Sequence, residues 1–136
     1  IMEKTNVNIY EYNSENENNT SIGLNVKAVK VAHGNFENSY GFVVRNETNS
    51  LFISGDSSYC DQVEKMILET KASILDISFI QSKPSHMGIN DLEKIIKYCN
   101  NKKIITTHMT PEAKEKIIEL NEKNIIIPNG GDEFSV

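Results

Sequence analysis

The spacing of apolar residues changes at Asp56, and that change governs what this chain can fold into. Before it, apolar and polar residues alternate. "NVNIYEY" (6–12), "IGLNVKAVKVA" (22–32), "SYGFVVR" (39–45) and "LFIS" (51–54) each place every second side chain on one face, as half-buried strands do. "NSENENN" (13–19) reads as a polar turn, and "NETNS" (46–50) joins the last two runs, so this part reads as two hairpins. After Asp56 the spacing becomes helical. Val63, Met66 and Ile67 share one helix face, with Ser58 and Asp61 at its start. Ile89, Leu92, Ile95, Ile96 and Cys99 share another, with Asn90 and Glu93 resembling a capping box. Thr110-Pro111 opens a third, with Ala113, Ile117 and Leu120 inward. Between the helices lie short runs of branched residues, "ASILDISFI" (72–80) and "KKIITTH" (102–108). "NIIIPNGGDEFSV" closes the chain as two short strands around Gly-Gly. Hairpins followed by alternating strands and helices predict an α/β, or layered α+β, fold with one mixed sheet.

A chain of 136 residues is sized for one domain and one core, residues 1–136. Its net charge of −5 and lack of a basic run give no footing for nucleic-acid or membrane surfaces. No stretch approaches the ~20 apolar residues of a membrane span, and the polar start does not read as a signal peptide. Cys60 and Cys99 form no metal-type pair, which suits a reducing, cytoplasmic setting.

The residues able to do chemistry sit at junctions. His33 follows a strand, His86 lies in the loop "SKPSHMG", and His108 ends "KKIITT". Asp56 follows "LFISG". Ligands collect at the carboxyl ends of strands in open α/β sheets, and imidazole with carboxylate suits Zn²⁺, Mn²⁺ or Fe. Taken singly, each residue has a plainer reading: a hydrogen-bonded or solvated histidine, or a helix-capping aspartate. "ISGDSS" also admits a serine nucleophile at Ser57. That chemistry needs an acidic residue three places before a histidine, and Lys30, Lys83 and Ile105 stand there instead.

Taken in order, "VKVAHGNFENSYGFVV", "LFISGDSS", "ILDISF", "SHMGINDLEKI" and "IITTHMT" resemble the C-terminal half of a metallo-β-lactamase-fold hydrolase. The branch is the one containing ribonuclease Z and the small phosphodiesterases. The resemblance covers residues 22–136. It implies an αββα sandwich of which this chain supplies one sheet with helices on one face. It implies two divalent ions, most simply Zn²⁺ with Mn²⁺ as alternative. His33 would hold one ion, Asp56 would bridge, and His108 would hold the other. His86 would donate a proton to the leaving oxygen, and Asp76 would orient a histidine. In such a pair of ions a phosphoryl oxygen is polarised and a water is acidified to a pKa of about 7.

The family's His-x-His-x-Asp-His signature, carried on its N-terminal half, is absent here. The expectation is therefore a phosphodiesterase, acting on RNA ends or small cyclic or dinucleotide phosphodiesters, that is active only when completed. Completion would come from the missing N-terminal half or from a second copy in a homo-oligomer. The alternatives are a non-catalytic interaction or dimerisation module of the same fold and, less simply, the Gly-Asp-Ser hydrolase. An apolar sheet face is expected to await a cover, because monomers seldom expose patches above a few hundred Å².

Overall fold

The structure, a computed structural model, describes residues 17–20 and 22–135. The expected strand at 6–12 lies outside the described residues. Strands β1 (Asn18–Asn19), β2 (Asn25–Lys30), β3 (Tyr40–Arg45) and β4 (Ser50–Ile53) come first. Helix α1 (Asp61–Glu69), β5 (Ala72–Phe79), β6 (Met87–Gly88) and α2 (Ile89–Tyr98) follow. Then come β7 (Lys103–Thr107), α3 (Pro111–Leu120) and β8 (Ile125–Ile126). The sheet order is β1-β2-β3-β4-β5-β7-β8, with β6 paired to β5. The β1/β2, β2/β3 and β3/β4 pairs are antiparallel, and the β4/β5, β5/β7 and β7/β8 pairs are parallel.

Side-chain alternation gives the sheet two unlike faces. In register across it, Val43, Phe52, Ser73 and Ile104 point one way. Val29, Val43, Phe52, Leu75, Ile77 and Ile104 on that side form one core with Val63, Met66, Ile67, Leu92, Ile95, Ala113 and Ile117 of the helices. Helices on one face of a mixed sheet are what the family resemblance implied. On the other face Val26, Val44 and Leu51 form one registered row and Ile74, Ile105 and Ile126 another. All but the buried Ile105 are half-buried there. No helix among the described residues is long and apolar enough to cross a membrane.

Several local expectations are corrected. Asn18–Asn19 pairs with β2 and is not part of a turn. Ser58 does not cap α1: its amide and hydroxyl both go to the Ala32 carbonyl, at 2.8 and 3.2 Å, and Cys60 takes the cap position. Asn90 does not open a capping box. Its side chain accepts from the Ser82 amide, and Asp91 Oδ2 takes the Gly88 amide at 3.1 Å instead. In both places a long-range partner displaced the local cap that spacing suggested. The closing strand pair is reduced to β8. Pro128 has no amide to offer, and Asn129 and Asp132 then close a turn on each other. Cys60 and Cys99 are free thiols, and burial pushes Cys99 up from its ordinary pKa.

Lys102 ties the end of α1 to the strand after α2. Its ammonium donates to the carbonyls of Ile67 at 2.9 Å, Thr70 at 2.8 Å and Leu68. These are carbonyls that a helix end leaves without partners. Replacing Lys102 with Met should lower stability by about 1.5–3 kcal/mol, seen as a lower urea midpoint at unchanged slope.

Candidate functional site

Strand direction gathers the chemistry. β3 reverses between β2 and β4, and β4, β5 and β7 are mutually parallel. So β2, β4, β5 and β7 all point the same way, and the residues that follow them share one edge of the sheet. His33 follows β2, Asp56 follows β4, His86 follows β5 and His108 follows β7. Residues up to 75 positions apart meet there because four strands end together.

The rings are in contact. His33 and His86 have centroids 5.0 Å apart, and His86 and His108 5.1 Å, both edge to face. His108 Nδ1 lies 3.0 Å from Asp56 Oδ1. Two backbone positions in the left-handed region aim this pair. Gly55, at φ 60°, turns the chain so that Asp56 leaves the end of β4, and His108 itself sits at φ 61°. A non-glycine residue there is strained and is held by its surroundings. The Thr110 amide, bonded to the Ser78 carbonyl at 3.0 Å, fixes the chain just beyond it.

Each remaining imidazole is fixed through Nδ1. His33 Nδ1 lies 2.7 Å from the Ser85 carbonyl oxygen. That oxygen can only accept, so Nδ1 carries the hydrogen, and Nε2 is the ring nitrogen left to offer a ligand. His86 Nδ1 lies 2.6 Å from Asp76 Oδ2. Asp76 is buried inside β5 and also accepts from the Ser57 amide at 3.0 Å and from the Ser78 hydroxyl. The carboxylate is thus gripped by three donors, and His86 turns Nε2 toward the shared edge. The loop carrying His86 is held from two sides. The Gly34 amide donates to the Pro84 carbonyl at 2.9 Å, and Ser82 bonds both Asn90 and Asp91.

The donor set suits a divalent ion. Asp56, His86 and His108 each offer one ligand atom, and these atoms all lie within 4.8 Å of one another. An oxygen and two imidazole nitrogens suit zinc or manganese, and His86 has an outer partner, Asp76, on its Nδ1. His33 stands one ring further out, beside His86. The structure therefore brings all five expected residues, His33, Asp56, Asp76, His86 and His108, into one neighbourhood. The tightest group holds His86 where the sequence reading put His33.

Ser57 is not placed as a nucleophile. It is fully buried, and its hydroxyl donates to the Ser58 carbonyl at 2.8 Å. Its service to the site is its amide, which grips Asp76. The sequence reading missed three participants. The Ser85 carbonyl has no residue signature, because any residue carries one. Ser78, two places after Asp76, was visible only as part of a strand. Phe36 lies in the "GNFEN" loop, which gave no signal except its nearness to His33.

The family described as the beta-lactamase superfamily domain matches residues 2–109. No curated protein matches the sequence. Among solved structures, an isothiocyanate hydrolase from Delia radicum gut bacteria is similar at 21% identity and TM-score 0.74, over 96% of this chain and 62% of that one. The metallo-beta-lactamase fold protein YhfI from Bacillus subtilis is similar at 13% identity and TM-score 0.67, over 84% and 49%. A diphosphatase from the PhnP family is similar at 23% identity and TM-score 0.64, over 84% and 45%. At these identities the likeness is one of fold. The chain spans about half to three fifths of the length of these structures.

Proposed function

The chain belongs to the beta-lactamase superfamily, and from that premise we propose that it carries the proton-donating side, and part of the metal-binding side, of a metal-dependent phosphodiesterase. The observation that carries this reading is the Asp76–His86 pair at 2.6 Å, set beside Asp56 and His108. His33, Asp56 and His108 would hold two divalent ions, Zn²⁺ or Mn²⁺, together with ligands from another segment or a second copy, and His86, although grouped with Asp56 and His108, would stay off the ions as the acid. When bound, such ions stabilise the negative charge that builds on a phosphoryl oxygen and activate water near neutral pH.

The chain's own residues do the rest. Asp76 accepts from His86 Nδ1 and stops the ring from rotating. Protonated His86 then presents its Nε2 hydrogen to the leaving oxygen, which departs as a neutral alcohol. The Ser57 amide and Ser78 hydroxyl keep Asp76 from turning away. The likeness to a diphosphatase supports phosphoryl chemistry. A net charge of −5 favours small phosphodiesters, such as RNA ends or cyclic and dinucleotide esters, over a large folded RNA, whose binding needs many cations. The setting proposed is the cytoplasm.

The test is metal content by mass spectrometry together with turnover of bis(4-nitrophenyl) phosphate, with and without the segment that completes the site. Two ions per site and turnover in the completed form are expected, and Ser57→Ala should keep that turnover. A second reading, an interaction or dimerisation module, is favoured by the register of apolar residues on the second sheet face. Tight self-association with no metal in either form would establish it and remove the first.

A further inference from the structure

Phe36 is 70% exposed. A single exposed phenyl ring is ordinary, but this one is fixed in place. Gly34, at φ 56°, reverses the chain so that Phe36 bridges His33, its amide donating to the His33 carbonyl at 3.0 Å. Its ring then lies nearly parallel to the His33 imidazole, at 18° and 5.2 Å between centroids. The row continues through His33 to His86 and on to Phe79, whose ring meets His86 edge to face at 5.7 Å. Lys83 Nζ lies 6.0 Å from the Phe79 ring. A hydrocarbon ring thus flanks the imidazole pair at each end, with a cation beyond one of them.

We propose that Phe36 is a substrate-binding residue which stacks on a planar aromatic group of the phosphoester, as on a nucleobase. This deepens the hydrolase reading and rests on it. One face of the phenyl ring is covered by His33 and the other is open to a flat partner. Stacking of this kind is indifferent to which base is present, since every base has a π-face. It would select aromatic over alkyl esters at the same phosphorus.

The test is binding, which needs no turnover. The protein, completed as above and loaded with metal, is titrated with phenyl phosphate and with methyl phosphate while the ring resonances of Phe36 are followed by NMR. Phenyl phosphate should bind at least about fivefold more tightly and shift the Phe36 ring. Phe36→Ala should abolish the preference, Phe36→Tyr should keep it, and Leu68→Ala, an exposed apolar change at the far end of α1, should alter nothing. Equal binding of the two esters by the native protein, or an undiminished preference in Phe36→Ala, would overturn the proposal. Absence of bis(4-nitrophenyl) phosphate turnover with the aryl preference intact would count against the reaction alone.

Discussion

His86→Ala should lower kcat by about 10²–10⁴-fold for a phosphodiester whose leaving group is an alkoxide. For one that releases 4-nitrophenolate the loss should stay within about tenfold, because that anion departs without a proton. The contrast matters more than the size. A residue that only shaped the pocket would cost both substrates alike, and such a result would remove His86 from the acid role. Asp76→Asn probes the same step from behind. The amide has one acceptor oxygen where the carboxylate serves three donors, the His86 ring, the Ser57 amide and the Ser78 hydroxyl. It can also turn a donating nitrogen toward His86 Nδ1, which would disfavour the imidazolium that the acid role requires. Because Asp76 acts through His86, the loss expected with the alkoxide leaving group is no larger than that of His86→Ala, at most about 10⁴-fold. Both variants are measured as kcat against the two leaving groups.

Asp56→Ala should release metal while leaving the fold untouched. The Asp56 side chain is 52% exposed and lies against His108, itself 51% exposed, so the change in stability should lie within about 0.5 kcal/mol. Metal affinity should fall by more than the roughly 10–100-fold that removal of an outer-shell partner costs. A chelator competition gives the affinity, and a thermal melt of the metal-free protein gives the stability. Unchanged metal retention at an unchanged melting temperature would remove Asp56 from the ligand set.

Much of this was legible in the amino acids, for identifiable reasons. The switch from alternating to helical spacing at Asp56 placed each helix and the longer strands. Four chemistry-bearing residues at junctions could be picked out because such residues are few: the chain holds three histidines. Their convergence could not be derived from spacing. It depends on β2, β4, β5 and β7 pointing the same way, which only the pairing of β3 between β2 and β4 determines. The resemblance implied only that Asp76 orients a histidine; the identity of that histidine as His86 was not legible, since nothing local links a mid-strand aspartate to a loop histidine ten residues later. Helix starts were misread wherever a distant group won the capping side chain. Ser58 went to Ala32 and Asn90 to Ser82, and both losses serve the loops that carry His33 and His86. The tail was misread because "IIIPNGG" carries strand-forming residues, yet Pro128 and the Asn129–Asp132 turn end pairing after Ile126.

The left-handed backbone at His108 sets a conflict between durability and purpose. Glycine would relax that position and asparagine would ease it, so any search for a hardier version of this protein that scored folding alone would discard the imidazole there. A histidine kept in such a conformation marks where the molecule gives up robustness to aim one side chain.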